Sequence, residues 1–595
     1  MSDAPAAEYA RRLALRREGA ARLAARERRL SNARLGVFAL GVSLAIAVFA
    51  TERLSAAWLL VPAAVFVALV VRHDRVIQAR VRAERAASFY ERGLARLERR
   101  PRSDGDGGER FLDRDHLYAA DLDLFGRGSL FELLCSARTR AGEEKLADWL
   151  RAPASPAEVR ARQEAVAELR SRLDLRESLA LLGDDVRAGL APDALAAWGT
   201  APSVGVARGL RLALAAAAAL TAGSLTATLA GLPLLPLFGA FVALEIGLAA
   251  SQHRRVRAVV ASVGRPGRDL SLLAQLLARI EAERFSSPRL VALRAALDTA
   301  GLPPSRRVAR LRLLVELLDA RRNQLFAPIA ALTLWTTQLA LAIERWRQRF
   351  GPAVVGWLAA VGELEALCAL AGFAYEHPAC PFPEIVEDGL LYEASGLVHP
   401  LLPPDRAVPN DVGFDGTLRL LLVSGSNMSG KSTLLRSVGV NAVLALAGAP
   451  VCASRLRLSP LVLGASIRVQ DSLQEGASRF YAEITRLGRI VRRAGEQPPL
   501  LFLLDEILAG TNSHDRRIGA AAIVRGLLDR GAAGLVTTHD LALAKIAEEL
   551  APRAANVHFE DQLVDGEMRF DYRLHAGVVS HSNALALMRA VGLDV

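Results

Sequence analysis

The chain has 595 residues, enough for several domains, and 52% of them are hydrophobic, with a mean hydropathy of +0.23. This composition indicates either membrane-spanning segments or many buried helices rich in Ala and Leu. The four cysteines are too few for a disulfide framework, and no pair of them has metal-ligand spacing. We therefore expect reduced core cysteines in a cytosolic domain.

The net charge is +11, from 74 Lys and Arg against 63 Asp and Glu. An excess of this kind is typical of proteins that bind nucleic acid or an anionic lipid surface. Only three of the cations are lysines (Lys145, Lys431 and Lys545), so a general bias toward Arg explains the excess equally well. Charge alone does not identify the partner.

The chain begins with an Arg-rich segment, residues 1–34, whose pattern predicts a basic amphipathic helix and no ordinary signal peptide. Two apolar runs follow at 35–51 and 56–71, and each is at the short end for a helix that spans a bilayer. We predict that they form a first transmembrane hairpin, residues 35–71, since paired helices satisfy their backbone hydrogen bonds internally. A basic helix and a linker are expected at 72–110.

A second pair of apolar runs, 210–232 and 233–250, predicts another hairpin over 208–250. Its one acid, Glu245, is expected either near the membrane interface or facing a partner helix. The alternative for all four runs is a soluble bundle of buried helices. Arginines flank the outer ends of both hairpins, so the positive-inside rule predicts a multi-pass protein of the inner (cytoplasmic) membrane with its C-terminal domain in the cytoplasm.

The rest of the chain divides by its periodicity. Residues 111–207 and 251–390 are rich in Leu, Ala, Arg and Glu, which predicts an all-α core and lever domain around the second hairpin. A fifth apolar run, 327–343, contains Gln and Thr residues and is expected to be a core helix. In 391–595, short β-rich runs alternate with helical stretches, at 418–424, 500–504 and 534–538. That alternation predicts an α/β domain with a mainly parallel sheet and flanking helices.

The strongest motif is a glycine-bounded loop between a predicted strand and a predicted helix, with the spacing G-x-x-x-x-G-K-S of a phosphate-binding P-loop. Backbone N–H groups of such a loop surround phosphate oxygens, and the helix that follows adds its positive end. Lys431 is expected to neutralise the β- and γ-phosphates of ATP, and Ser432 to hold Mg²⁺. The predicted nucleotide-binding residues are Gly425, Ser426, Asn427, Met428, Ser429, Gly430, Lys431, Ser432 and Thr433.

A buried apolar strand that ends in Asp505-Glu506 has the pattern of a Walker B motif. Asp505 is expected to orient Mg²⁺ or its water, and Glu506 to polarise the water that attacks the γ-phosphate. The alternative is a strand that ends in two capping acids.

Two further motifs complete an ABC-type order: Gly476-Ala-Ser478-Arg-Phe480 before the Walker B, and His539 after it, 33 residues past Glu506. In ATPases of this type the signature serine, here Ser478, contacts the γ-phosphate bound by the other subunit. Transition-state charge is then neutralised only when two domains close. The predicted catalytic residues are therefore Glu506, His539 and Lys431, and Ser478 is predicted to contact the nucleotide.

Several of these motifs together resemble the MutS family. The matching elements are Asn427-Met428, Asp471-Ser472, Ser478 with Phe480, Asp505-Glu506 with Gly510-Thr511, Thr538-His539, His399-Pro-Leu-Leu402, Val408-Pro-Asn-Asp411, and the helical stretch 130–169. The resemblance covers about 115–200 and 260–595. It implies an ABC-type P-loop ATPase domain, a homodimer with composite sites, ATP and Mg²⁺ as cofactors, and binding of double-stranded DNA as in mismatch repair.

The sequence also departs from the family pattern. Ser429 replaces the first Gly of the usual Gly-Gly before the loop lysine, Arg479 replaces a Thr, and Asp540 replaces a Tyr. Where the resemblance would place the family's N-terminal mismatch-binding domain, the sequence predicts the basic helix and the first hairpin. Phe89-Tyr90-Glu91 imitates the mismatch-reading Phe-x-Glu element but lies in an Arg-rich stretch that predicts a helix leaving the membrane.

Two functions follow. The first is a membrane-anchored, MutS-like ATPase dimer that binds DNA and contacts membrane lipids. The second is an ATP-driven switch at the membrane that acts on a protein or lipid partner without DNA. A transporter is a weaker third interpretation, because the four apolar runs have no obvious polar pathway.

Overall fold

The computed structural model describes residues 4–51, 55–98, 106–183, 192–202, 209–263, 267–297, 301–323, 326–387, 389–426, 428–467, 479–564 and 567–578. The chain divides into two compact units. The first consists of 1–104 and 174–184, and the second of 105–173 and 185–595.

The helices are numbered in chain order. They are α1 (Ala4–Thr51), α2 (Leu60–Leu97), α3 (Leu130–Leu134), α4 (Arg140–Arg151), α5 (Pro156–Arg170), α6 (Leu173–Gly183), α7 (Pro192–Thr200), α8 (Leu210–Leu229), α9 (Leu235–Val263), α10 (Gly267–Glu281), α11 (Pro288–Ala296), α12 (Pro304–Asp319), α13 (Ala327–Leu332), α14 (Trp335–Glu376), α15 (Lys431–Ala447), α16 (Arg479–Arg493), α17 (Ser513–Asp529) and α18 (Leu541–Glu549). Short 3₁₀ helices lie at Ala56–Leu59, Glu109–Phe111 and Ala320–Arg322.

The strands are β1 (Glu384–Ile385), β2 (Tyr392–Leu397), β3 (Asn410–Phe414), β4 (Leu420–Ser424), β5 (Arg455–Leu458), β6 (Val462–Ser466), β7 (Leu500–Asp505), β8 (Ala533–Thr538), β9 (Ala554–Val564) and β10 (Glu567–Ala576). All of them follow the long helix α14. The prediction of a helical N-terminal region and a C-terminal α/β domain is therefore confirmed for the described residues.

The first unit is an antiparallel pair of long helices, α1 and α2, and α6 is joined to both by hydrogen bonds and ion pairs. The predicted basic helix 1–34 and apolar run 35–51 are one continuous helix of 48 residues, α1. At 1.5 Å per residue it is about 72 Å long, more than twice the thickness of a bilayer's hydrocarbon core. At the end away from the apolar runs, the Tyr9 ring lies against Gly93, where a Cβ atom would come within 2.5 Å of the ring.

Tyr90 lies in the middle of this packing. It is fully buried, its hydroxyl donates to the Glu177 carboxylate of α6, and Arg16 Nη2 lies 2.7 Å from the other Glu177 oxygen. Burial raises the pKa of Tyr90 above its usual value, and the hydrogen bond to Glu177 adds to this. The Phe89-Tyr90-Glu91 element is thus part of a helix core, and its buried rings are not presented to a DNA base.

Five helices in the described part of the chain are long and apolar enough to cross a membrane, judged by length and composition: α1, α2, α8, α9 and α14. In α1 and α2 only 6% and 0% of the most apolar stretch is buried, and in α8 and α9 28% and 11%. In α14 the share is 72%, which makes it a core helix of the second unit. The predicted core helix over 327–343 is broken into α13 and α14, because Leu334 has the left-handed φ of 48°.

The 42-residue helix α14 is the centre of the helical part of the second unit and packs against α4, α5, α7 and α12. It approaches α7 backbone to backbone: a Cβ on Gly351 would lie 2.2 Å from the Gly199 carbonyl oxygen. Further along, Glu365 accepts hydrogen bonds from Arg138 N, Thr139 N and the Thr139 hydroxyl, and so caps the start of α4.

The α/β part contains a six-stranded sheet in the order β10-β9-β4-β8-β7-β6 and a four-stranded sheet in the order β1-β5-β2-β3. In the larger sheet all neighbours are parallel except β9 and β10. Strands β4 and β8 are buried at every residue, as expected for parallel strands covered on both faces. Since β4, β7 and β8 are neighbours, the segments that follow their carboxyl ends meet at one edge of the sheet.

Candidate active site

The glycine-bounded loop joins β4 to α15 at that edge. Gly425 and Gly430 have φ of 148° and 107°, which other residues rarely adopt, and Met428 has a φ of 70°. Lys431 is 5% exposed, and its Nζ donates to the carbonyl oxygens of Gly425 and Ser426, both at 2.8 Å. The loop thus curls around its own lysine at the amino end of α15. Asn427 lies outside the described residues.

Two hydroxyl groups of this loop fit an anionic ligand. Ser426 Oγ and Ser429 Oγ are buried and have no hydrogen-bond partner among the described residues. A buried hydroxyl without a partner costs free energy, so both groups are available to donate to phosphate oxygens. These two unpartnered hydroxyl groups indicate that the loop is suited to bind the phosphates of a nucleotide.

The predicted metal-binding pair is brought together because β4 and β7 flank β8 in the sheet and run parallel to it. Ser432 Oγ at the start of α15 lies 2.5 Å from Asp505 Oδ2 at the end of β7. One carboxylate and one hydroxyl, completed by phosphate oxygens and water, form the oxygen environment in which proteins hold Mg²⁺. Within the described residues no cluster of three or more His, Cys, Asp or Glu could hold a metal by itself.

The three predicted catalytic side chains also converge. Glu506 Oε1 lies 3.5 Å from Lys431 Nζ, and Glu506 Oε2 lies 3.4 Å from His539 Nδ1. Glu506 has a left-handed φ of 45°, and its side chain is 31% exposed. A carboxylate held this way at the mouth of a phosphate loop can orient and polarise a water molecule.

Thr537 is a site residue that the sequence reasoning missed. It lies on β8, is 1% exposed, donates its hydroxyl proton to Asp505 Oδ1 and accepts a hydrogen bond from Glu506 N at 3.0 Å. It therefore fixes both Walker B acids at once. In the sequence, the motif Thr538-His539 follows Thr537 directly, and this position next to a motif is the only signal for Thr537.

A cavity of about 790 Å³ lies over the loop, within the size range of ligand pockets. Beside Met428, Gly430, Lys431, Ser432, Thr433, Asp505 and Glu506, its lining includes His399, Val408, Asn410, Phe559 and Tyr572. Asn410 accepts from Leu574 N at 2.7 Å and donates to the Tyr572 carbonyl at 3.0 Å, which places Tyr572 over Gly430. The Val-Pro-Asn-Asp run signalled Asn410, whereas nothing in the sequence signalled Tyr572.

The remaining predicted site residue, Ser478, lies outside the described residues, as do Asp471, Ser472 and Gly476. The helix α16 begins immediately after Ser478. On it, Glu483 is 4% exposed and accepts a hydrogen bond from Leu508 N, two residues after Glu506, at 2.5 Å. The signature helix is thus tied to the segment that carries the Walker B glutamate.

Residues 421–594 match the sequence profile of the family described as MutS domain V. The chain is 33% identical over 252 residues to "DNA mismatch repair protein MutS 2" of Halobacterium salinarum, which covers 42% of this chain and 29% of that protein. It is 35% identical over 213 residues to "Endonuclease MutS2" of Thermus thermophilus, covering 34% of this chain and 27% of that protein. It is also 35% identical over 254 residues to "Endonuclease MutS2" of an Anaeromyxobacter species, covering 40% and 30%. The chain thus spans less than a third of the length of these curated relatives.

Proposed function

The chain belongs to the MutS family through its C-terminal domain, and from this premise we propose that it is an ABC-type P-loop ATPase that binds and hydrolyses ATP with Mg²⁺. The observation that carries the proposal is the convergence of Lys431, the Ser432–Asp505 pair and Glu506 on one glycine-bounded loop with unpartnered buried hydroxyls. Phosphate binding, metal binding and activation of water are thereby available within one cavity.

Each residue has a separate task. Lys431 exchanges its two carbonyl acceptors for β- and γ-phosphate oxygens and neutralises the charge that develops there. Ser432 and Asp505 would hold Mg²⁺, which when bound would stabilise the negative charge of the phosphates. Glu506 orients and polarises the attacking water, and His539 fixes the second oxygen of that carboxylate.

The test is ATP retention and phosphate release by the full chain, purified in detergent, with and without Mg²⁺. Lys431→Ala is expected to weaken ATP binding, and Glu506→Gln to bind ATP but stall turnover. Lys545→Ala is the matched control, because Lys545 is an exposed lysine on α18 and should change neither quantity. If the wild-type chain neither retains ATP nor releases phosphate with Mg²⁺, the proposal is wrong.

We further propose that the sites are composite and that two copies of the chain form them. The argument is the family position of Ser478, whose counterpart acts on the nucleotide of the other subunit. Ser478→Arg should then leave ATP binding intact and lower hydrolysis.

Co-expression of two inactive variants gives a sharper test of the composite sites. A dimer of one Lys431→Ala chain and one Ser478→Arg chain keeps one intact site, formed by the lysine of one copy and the serine of the other. Recovery of part of the wild-type rate in the mixed dimer is the expected result. No recovery, or full activity of an isolated monomer, would show that each copy works alone.

The membrane is the third part of the proposal: an inner (cytoplasmic) membrane protein held by two helical hairpins. The apolar end of α1 exposes large side chains such as Phe38, Ile46 and Phe49, between 58% and 76% exposed, and that of α2 exposes Val67 at 61%. In α9, Leu244 and Ile246 are 50% and 64% exposed. Such surfaces suit a bilayer rather than water.

The position of Glu245 is also compatible with a membrane-facing α9. It is only 4% exposed, so this acid faces the packed helices and leaves the outer face of α9 uncharged there. When membranes that contain the full chain are extracted with alkaline carbonate, the chain should stay in the membrane pellet. Exchange of Ile46, Phe49 and Val65 for Glu should weaken this retention, whereas Arg22→Glu on the exposed basic part of α1 should not.

The relatives' names concern DNA mismatch repair and an endonuclease, which supports double-stranded DNA as the partner. The exposed hairpins favour a second function, an ATP-driven switch that acts on a membrane protein or lipid without DNA. Duplex binding by the full chain discriminates the two. A DNA-binding protein should lose affinity steeply as salt rises from 50 to 200 mM. Equal binding of matched and mismatched duplexes would exclude mismatch recognition, and no binding at low salt would favour the switch.

A further inference from the structure

A segment of the second unit, residues 113–123, lies against the nucleotide-binding domain although it precedes that domain by about 300 residues. We call it the brace. Its Leu117 carbonyl accepts a hydrogen bond from Ala465 N at 2.8 Å, so the brace covers β6, the edge strand of the six-stranded sheet. Leu122 packs so closely on α15 that a Cβ on Gly439 would lie 2.6 Å from it.

Within the brace, Asp121 makes two connections that have different partners. Its Oδ1 accepts a hydrogen bond from Ile467 N at 2.8 Å, and its Oδ2 accepts from Arg486 Nη2. Asp121 is 3% exposed and the Arg486 side chain 13%, so this is a buried, charge-assisted hydrogen bond. Arg486 also donates to the carbonyls of Ala465 and Arg114, both at 3.1 Å, and so joins β6, α16 and the brace.

The two partners of Asp121 lie on either side of Ser478 in the chain. Ile467 directly follows β6, and Arg486 lies in the second turn of α16, which starts at the residue after Ser478. The same helix is tied by Glu483 to Leu508, close to Glu506. Asp121 therefore holds α16 against the end of β6, and Glu483 ties the same helix to the segment that carries the Walker B glutamate.

We propose that Asp121 is a positioning residue for ATP hydrolysis, acting through Ile467 and Arg486 on α16, which Glu483 ties to the segment that carries Glu506. This inference rests on the proposed ATPase function. Ile467 and Arg486 lie outside the glycine-bounded loop and the Walker B pair, so loss of Asp121 should affect the hydrolysis step and not the grip of Lys431 on ATP.

The matched control is Asp115, which lies on the same brace and pairs with Arg489 Nη1 of the same helix at 2.7 Å. The Asp115 side chain is 84% exposed, and the Ile467 amide donates to Asp121 instead. The Asp115–Arg489 pair therefore has the same charges as the Asp121–Arg486 pair but is not buried. Asp121→Asn keeps the shape of the side chain and an acceptor for Ile467 N, and removes the charge that faces Arg486.

We expect Asp121→Asn to lower kcat about tenfold and to leave the Kd of a fluorescent non-hydrolysable ATP analogue within about twofold, as for loss of an interaction that acts in the transition state. Asp115→Asn should match the wild type in both. The pair Asp121→Asn with Arg486→Gln should be no slower than the worse single variant, since the two residues act as one unit. Hydrogen exchange at the Ile467 amide should be faster in Asp121→Ala than in the wild type.

The results separate the two proposals. If the wild type does not hydrolyse ATP, the proposed function is wrong and the positioning role falls with it. If the wild type is active and Asp121→Asn has an unchanged kcat, the positioning role alone is overturned. A parallel loss of analogue binding and kcat in Asp121→Asn would also overturn it, because that pattern belongs to general loss of structure.

Discussion

The hydroxyl of Thr537 gives the most direct test of how the two Walker B acids are held. The change is Thr537→Val, which keeps the shape of a side chain that is 1% exposed and removes only the hydroxyl. The variant loses the hydrogen bond to Asp505 Oδ1 and leaves Glu506 N without the acceptor that it has at 3.0 Å.

The expected size follows from these two bonds. A hydrogen bond to a charged acceptor contributes about 1.5–3 kcal/mol, and a buried N–H left without a partner costs about 1–3 kcal/mol. Loss of about 3 kcal/mol from the transition state corresponds to about 100-fold in kcat. Because Asp505 keeps its contact with Ser432 Oγ, we expect kcat to decrease between about 10-fold and about 100-fold. The Mg²⁺ concentration that gives the half-maximal rate should be higher than in the wild type.

The assay is steady-state phosphate release by the full chain as a function of Mg²⁺ at saturating ATP. Thr537→Ser is the control, since it retains the hydroxyl and should recover most of the rate. A Thr537→Val protein with wild-type kcat and Mg²⁺ dependence would show that the hydroxyl does not position the two acids. Equal losses in the Ser and Val variants would assign the effect to the missing methyl group and not to the hydrogen bonds.

Two further predictions concern stability. Burial raises the pKa of Glu365 from 4.5 to about 7 against the three hydrogen bonds that it accepts, so the folded state holds its proton more tightly than the unfolded state. The stability that Glu365 contributes is therefore fully present below about pH 4.5 and is lost as pH rises through about 7. The total loss is about 3 kcal/mol. Between about pH 5 and 8, the free energy of unfolding measured with denaturant should decline less in Glu365→Gln than in the wild type. Gly351→Ala should lower the free energy of unfolding by about 2 kcal/mol or more, because the new methyl group meets the Gly199 carbonyl. Gly356→Ala on the same helix is the control, since a methyl group there has open space and should not lower the free energy of unfolding. Equal unfolding midpoints for the two variants would contradict the close approach of α7 and α14.

Much of the candidate nucleotide site could be predicted because each of its motifs is contiguous in the chain. The loop from Gly425 to Thr433 carries its own geometry in two glycines, a lysine and the helix that follows. The Walker B pair lies at the end of a strand whose apolar run is visible in the sequence. Parallel strands bring their carboxyl ends to one edge, and the pairing of Ser432 with Asp505 follows from that rule.

The helical part shows where local patterns are insufficient. A change from basic to apolar composition at residue 35 suggested a boundary, yet α1 continues through it, because helix propensity is high on both sides. The apolar run at 327–343 suggested one helix, but the chain breaks at Leu334, and packing in the second unit buries most of α14.

The sequence by itself indicated the resemblance to the MutS family, the α/β character of the C-terminal domain and the residues that are predicted to contact phosphate, metal and water. Only the tertiary structure decided that Thr537 joins the two acids, that Asn410 places Tyr572 over the loop, and that Asp121 holds both flanks of the signature segment. The physical reason is that each of these contacts joins residues far apart in the chain. Their side chains are ordinary in composition and acquire a role only through the partner that the fold places beside them.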